Sequence, residues 1–368
     1  MLNNRVKTLQ KILKQEEFDA LLVSSAVNIE YLTGYPNFSK AEREAYLFIT
    51  QTNATLFTDP RYIEAVEKII PSDVEATINK PASKFIGKIV LQKKLKRIGF
   101  ETNFTVYELE RIKKVVKAKF SLADDLVESL REIKDADEIN KMQKAAKLTD
   151  GAFEYIKNLI QIGVSEKQIA WEMEKFIKEN GGTLAFDSIV AFGANSSIPH
   201  HIATEKKLTE KDEFVLLDFG AKVDGYCCDM TRTILTSNTS ARAKKIYRAV
   251  LEAQEKAGKS IVADKKDNAL TAAKIANEAL ISYGFKKVPH GLGHGIGLEV
   301  HEKPHLHPEF DDILTNGMVF SIEPGVYIPG FGGVRIEDTA VLIDQKLVWL
   351  TKSAKTLDPD LIGVEISI

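Results

Sequence analysis

Residues 214–235 read FVLLDFGAKVDGYCCDMTRTIL. Phe214 to Leu217 form an apolar run of strand length that ends on Asp218. Val223-Asp224-Gly225 is a turn signal, and Tyr226 to Leu235 form a second strand-like run carrying Asp229. A hairpin centred on residues 223 and 224 sets Asp218 and Asp229 approximately opposite each other. Two carboxylates opposed at the end of a buried strand repel, unless one is protonated or a cation lies between them.

The pattern recurs downstream. Met318 to Glu323 reads as a strand stopping at Pro324-Gly325, and Val334 to Ala340 as its partner across the glycine-rich segment 328–333. Glu323 and Glu337 are symmetric about Gly330, so a second hairpin presents a second acidic pair. Four carboxylates on two hairpins suit divalent cations that prefer oxygen ligands. All seven histidines fall between His200 and His307. The segment PHGLGHGIG (289–297) is too rich in glycine for a helix interior, and glycine there lets the backbone approach a ligand closely. His294 within it is the candidate fifth ligand. Four carboxylates and one imidazole fit two metal ions bridged by carboxylates. His200 and His201, after Pro199, and His301 are candidates for proton transfer or oxyanion stabilisation. His301-Glu302-Lys303-Pro304-His305 has the spacing of a zinc-protease helix, but Pro304 between the histidines argues against a helix.

The rest of the chain frames this site. Its 368 residues suggest about two domains. Fifty basic and fifty-two acidic residues leave a formal charge of -2, so no positive excess points to nucleic acid or anionic lipid. No apolar run approaches the ~20 residues that span a bilayer. The charged N-terminus reads as an amphipathic helix with Leu2, Val6, Leu9 and Leu13 on one face, not as a secretion signal. The only cysteines, Cys227 and Cys228, are adjacent, a poor geometry for a mutual bridge, and point to a reducing cytoplasm. An α/β domain is expected over residues 1–125, with strands at 20–24, 46–50, 54–57, 74–78 and 97–100. Helices are expected to start at Asp59-Pro60, at Ser83 and at Thr105, the last running to Ala118. A second domain over residues 135–355 opens with helices from Asp135 and from the capping box at Ser165. Two more helices follow, near 240–260 and 268–283.

DFGAKVDGYCCDMTRT (218–233), HGLGHGIGLEVHEKP (290–304), SIEPGVY (321–327) and GGVRIED (332–338) resemble the sequence blocks of the pita-bread metallopeptidases. Within that superfamily the chain is similar to the proline-specific branch, aminopeptidase P and prolidase. NIEYLTG (28–34), TDPRY (58–62) and IGFE (98–101) resemble the creatinase-type domain that accompanies this branch. The resemblance implies an α+β fold: a pita-bread catalytic domain preceded by an α/β creatinase-like domain. It implies Asp218, Asp229, His294, Glu323 and Glu337 as ligands of two divalent ions, manganese first and cobalt or zinc as alternatives. It also implies Glu323 as proton shuttle, His301 as a contact to the scissile carbonyl, and Arg335 as an active-site arginine. The upstream histidine is His200 by its place after proline, with His201 as the alternative. The implied activity is cleavage of the bond before proline, with proline-containing peptides as substrates and a homodimer as the assembly. Release of an N-terminal residue in the manner of aminopeptidase P is the first expectation, and an Xaa-Pro dipeptidase the second. Relatives of this fold without metal ligands bind partners instead of catalysing, but every ligand position is present here.

Overall fold

The computed structural model describes residues 2–78, 81–237, 239–307, 309–310 and 312–355. The chain divides into two compact units, Met1–Arg131 and Glu132–Ile368. Among the described residues no helix is long and apolar enough to cross a membrane.

In the first unit, β1 (Ala20–Val23), β2 (Tyr46–Thr50), β3 (Ala54–Thr58), β4 (Val74–Ile78), β5 (Arg97–Phe100) and β6 (Lys119–Leu122) form one sheet in the order β4-β3-β2-β1-β5-β6. The pairs β1–β2 and β2–β3 are antiparallel, whereas β1–β5, β3–β4 and β5–β6 are parallel. Residues 20–23 are buried throughout, which is why this central strand is an unbroken apolar run. Leu22, Phe48, Phe57 and Ile98 pack against Ile86, Val90 and Ile112 from the helices Ala82–Lys93 and Val106–Val115. Helix Leu2–Gln15 buries Val6, Leu9 and Leu13 as its spacing predicts.

Two local expectations are corrected. Asp59 does not cap a helix: the helix runs from Ile63 to Glu67, and the Asp59 carboxylate accepts from the Arg61 backbone N–H at 2.9 Å and pairs with its guanidinium at 2.7 Å. A side-chain ion pair outcompetes the cap that Asp-Pro suggested. The helix from Thr105 ends at Val115 rather than Ala118, because Lys119–Leu122 leaves it to pair with β5.

The cap at Thr105 does hold. Its hydroxyl accepts from Glu108 N–H, and the Glu108 carboxylate accepts from the Thr105 N–H at 3.0 Å and from Arg43 Nε at 2.9 Å. Burial alone would raise the Glu108 carboxyl, but the Arg43 and Thr105 hydrogen bonds outweigh it and bring it down to about 2. A lowered acid stabilises the fold at pH above its unfolded value and loses that contribution as pH falls through the folded value. Glu108→Gln is therefore expected to cost about 1–2 kcal/mol at neutral pH. Urea midpoints of the two proteins should converge between about pH 4.5 and pH 2; a constant gap would count against this assignment.

The second unit places sheets against two helix pairs. Helices Ala136–Lys157 and Glu166–Glu179 start at capping boxes on Asp135 and Ser165. They bury Phe153, Ile156, Ile169, Met173 and Ile177 against Val215, Leu217 and Phe219. Helices Ala241–Ser260 and Asn268–Ser282 cover Phe320, Ile322, Val334 and Ile336. Strand Phe214–Phe219 lies between Met230–Leu235 and Ile189–Phe192. A five-stranded sheet runs in the order Glu302–Leu306, Gly293–Gly295, Val319–Ile322, Asp338–Ile343, Lys346–Trp349. His301-Glu302-Lys303-Pro304-His305 thus belongs to a strand and its approach, and the zinc-protease helix is absent.

Side chains alternate across a strand, so the helix-covered residues fix where their neighbours point. Val215, Leu217 and Phe219 face helices; Asp218 faces away. Phe320 and Ile322 face helices; Ser321 and Glu323 face away. Val334 and Ile336 face helices; Arg335 and Glu337 face away. The functional residues are the second face of sheets whose first face is the core.

Candidate metal centre and active site

The first hairpin turns on Asp224 and Gly225, both with left-handed φ (50° and 85°), and closes with Val223 paired to Tyr226. Its centre is one residue later than the spacing suggested. Each cross-strand partner therefore moves by two, and Asp218 lies opposite Thr231 rather than Asp229. A shift of two preserves the face, so both carboxylates still enter the same cleft. The second hairpin keeps the expected register: Ile322 pairs with Asp338 and Gly325 with Arg335, which sets Glu323 against Glu337.

His294 reaches this cluster from the short strand Gly293–Gly295. A Cβ on Gly293 would lie 2.0 Å from the Ser321 carbonyl, and one on Gly295 would lie 2.0 Å from the Lys303 carbonyl. The glycines flanking His294 are what let three strands close around it. His294 Nε2 lies 3.2 Å from Glu323 Oε1 and 3.7 Å from Asp229 Oδ2. Asp229, His294 and Glu337 each offer a ligand atom within 4.8 Å of the others. Asp218 joins them through Arg335, whose guanidinium contacts Asp218 Oδ2 and donates from Nε to Thr231 Oγ1 at 3.0 Å; Thr231 donates in turn to Glu337 Oε2 at 2.6 Å.

Three buried carboxylate oxygens, Asp218 Oδ1, Asp229 Oδ1 and Glu337 Oε1, accept no hydrogen bond. Burial first, and neighbouring carboxylates second, push Asp229 and Glu337 well above the usual acid range; burial also raises Asp218, against the pull of Arg335. Burial acts against ionisation of Glu323 and His294 as well, but their mutual hydrogen bond and charge prevail, leaving Glu323 at about 2 and His294 at about 9. Orphaned oxygens and crowded negative charge are what a cation would satisfy. The donor set of four carboxylates and one imidazole therefore fits divalent metal. The neighbouring Cys228 sulfur faces Thr339 Oγ1 at 3.6 Å and the Asp229 backbone, and takes no part in the acidic cluster.

These groups open onto a cavity of about 790 Å³ that all seven histidines line. The imidazoles of His294 and His301 meet edge to face at 4.2 Å, and burial keeps His301 below its ordinary value. His200 is exposed to the cavity, whereas His201 is tied by Nε2 to Glu166 at 2.9 Å. This difference favours His200 as the histidine available to a ligand.

Two residues carried no assignment from sequence. His290 Nδ1 lies 2.8 Å from the Gly291 carbonyl and so carries the proton. Its Nε2, 3.0 Å away, accepts from Tyr327 OH, which in turn accepts from Arg335 at 2.8 Å. Burial pushes the Tyr327 hydroxyl up to about 12 and the His290 imidazole down. Alternation along Gly325–Ile328 would have placed Tyr327 on the face of Glu323; nothing local marks His290 apart from the glycines around it.

Cation binding at this cluster should stabilise the fold, since it relieves buried repulsion and binds only the native state. Adding Mn²⁺ to chelator-treated protein is expected to raise Tm by several degrees. Asp229→Asn should abolish that rise without lowering the Tm of the chelated protein. An equal rise in the variant would show that the cation binds elsewhere.

The chain matches metallopeptidase family M24 over residues 140–344 and the creatinase/prolidase N-terminal domain over residues 5–133. It is 34% identical over 367 residues to a Xaa-Pro dipeptidase of Pyrococcus horikoshii, covering 97% of this chain and 99% of that protein. A Xaa-Pro dipeptidase structure from Bacillus anthracis superimposes with a TM-score of 0.91 at 34% identity, covering 97% of this chain and 99% of that one. An X-Pro aminopeptidase structure from Thermotoga maritima gives 0.83 at 32% identity, covering 92% and 97%. With acidic hairpins and histidine strand assembled on the matched domain, the chain is a metallopeptidase and belongs to family M24.

Proposed function

We propose that this metallopeptidase hydrolyses the bond between a residue and proline, with Xaa-Pro dipeptides as preferred substrates. The observation that carries the reading is the acidic cluster with its orphaned oxygens, open to a cavity lined by every histidine of the chain. In support of a dipeptidase over an aminopeptidase of P type stand relatives of the same length that bear the dipeptidase name. The X-Pro aminopeptidase of Thermotoga maritima keeps the second reading in play.

In this proposal Asp218, Asp229, His294, Glu323 and Glu337 hold two divalent cations. Manganese is the first choice, because the donor set holds oxygen and one imidazole nitrogen but no thiolate. When bound, such cations lower the pKa of water and polarise the scissile carbonyl. The protein's own groups supply the rest. Glu323, whose Oε1 accepts from the Ser321 hydroxyl at 3.2 Å, takes a proton and returns it to the prolyl nitrogen. That nitrogen belongs to a tertiary amide and leaves only once protonated. His200 and His301, facing the cavity, orient the substrate and donate to the oxygen that gains charge. Arg335, bonded to Asp218, Thr231 and Tyr327, holds the Asp218 carboxylate in place and its charge in the site. A cytoplasmic homodimer completes the proposal.

Hydrolysis of Ala-Pro and of Ala-Pro-Ala by manganese-loaded protein tests the choice. Faster cleavage of the dipeptide is expected, and cleavage of the tripeptide alone would restore the aminopeptidase reading. Asp229→Asn should lose more than about 100-fold in kcat/KM while melting cooperatively; full activity in that variant would remove the metal cluster from the mechanism.

A further inference from the structure

Glu166 is the first residue of helix Glu166–Glu179, its side chain wholly buried, and no part of the chemistry above uses it. Its carboxylate nonetheless accepts five hydrogen bonds. Oε1 accepts from Phe192 N–H at 2.9 Å and from Asn195 Nδ2 at 2.8 Å. Oε2 accepts from His201 Nε2 at 2.9 Å, from Thr204 N–H at 3.0 Å and from the Thr204 hydroxyl at 2.6 Å. These donors bracket the loop 193–204, on which His200 stands. A buried carboxylate with this many donors is a rigid anchor, because each lost bond would leave a buried group unpaired.

The other side of His200 is held as well. The Pro199 carbonyl accepts from the Arg335 guanidinium at 3.4 and 3.5 Å, and Arg335 is itself ion-paired with Asp218. The residue before His200 is thus tied to the acidic cluster, and the residue after it is tied by its ring to Glu166. The His200 side chain, between these two anchors, is exposed and lines the cavity.

We propose that Glu166 is a positioning residue: through the His201 ring and Thr204 it sets where His200 meets the substrate. The proposal rests on the peptidase function above and adds a part to it. The pair Glu166–His201 is the strut, and Asn195 and Thr204 keep the carboxylate from turning. Glu166 lies outside the acidic cluster, so its loss should leave metal binding unchanged and act through His200 alone. The ionised form is the one that accepts all five hydrogen bonds. Although burial opposes it, the Thr204 and His201 hydrogen bonds keep the Glu166 carboxyl below its ordinary value.

The test is a double-mutant cycle on the manganese-loaded full chain with Ala-Pro as substrate, joined to imidazole NMR. In Glu166→Gln one acceptor becomes a donor facing two or three donors, so the anchor fails. The expected result is a 10- to 100-fold loss of kcat/KM in Glu166→Gln, with two equivalents of manganese still bound. The same substitution should cost less than 3-fold when added to His200→Ala, because both remove one function. His201→Gln, which keeps a donor for Glu166, should retain most activity, whereas His201→Leu should match Glu166→Gln. If Glu166→Gln proves unfolded by its melting curve, the His201 pair carries the test alone. Additive losses in the cycle, or equal activity of the Gln and Leu variants, would overturn the proposal. The His200 ring resonances, read on protein loaded with diamagnetic Zn²⁺, decide independently of turnover: a shift in Glu166→Gln or His201→Leu supports the strut, and unchanged signals refute it. Absence of Xaa-Pro hydrolysis by the parent protein would overturn the peptidase function, while the NMR result would still decide the strut.

Discussion

Charge repulsion among Asp218, Asp229, Glu323 and Glu337 is the constraint around which the second unit is built. Folding carries these carboxylates out of water and into one cleft, where three of their oxygens have no hydrogen-bond partner. Such an arrangement costs stability unless something compensates. Arg335 compensates on the Asp218 side and His294 on the Glu323 side. Behind the cluster, Asp338 faces the other way and is ionised: burial opposes this, but Arg232 and Lys355 hold its carboxyl below the usual range. Adjacent acids on one strand therefore have opposite fates. Asp338 is neutralised by the protein's own cations, and Glu337 is left for a cation from outside.

The scaffold tolerates this because the cost is concentrated on one face. Every strand that contributes a carboxylate also contributes Val, Leu, Ile or Phe to a helix-covered core on its other face. The alternation of side chains makes the two assignments inseparable. A register slip of one residue would expose the core and bury the opposite side chains, so packing energy holds the ligands in position. The same logic explains the glycines around His294. Backbones pass too close there for any side chain, and the imidazole is the one group the strand projects.

Much of this was legible from residue pattern. The helix start at Asp135, the capping box at Ser165, the apolar run of residues 20–23 and the symmetry of Glu323 and Glu337 about Gly330 each depend on local chemistry, and each appears in the structure. What escaped depended on competing local partners, on turn geometry or on contacts distant in sequence. Asp59-Pro60 has the pattern of a cap, but the Asp59 carboxylate is taken by Arg61. Strand Lys119–Leu122 is short and partly exposed, and exists because β5 offers it an edge. The hairpin register at Asp218 moved because the Asp224-Gly225 turn, not the midpoint between the acids, sets the centre. His290, Tyr327 and Glu166 gain their significance from partners 8 to 37 residues away. No local pattern distinguishes such residues from ordinary core or cap positions.

Cys227 and Cys228 are the only thiols in the chain, and both are buried in the hairpin that carries Asp229. Burial pushes the Cys228 thiol up, away from the thiolate form that alkylating reagents need. Their labelling therefore waits for that hairpin to open. Because the first unit has no cysteine, the rate of alkylation is a clock for the catalytic unit alone, blind to any earlier loosening of the N-terminal sheet. A cation gripped by Asp229 would slow that clock in proportion to how firmly it pins the strand. The adjacent cysteines, free thiols buried beside Asp229, become a built-in gauge of how the site and its scaffold hold together.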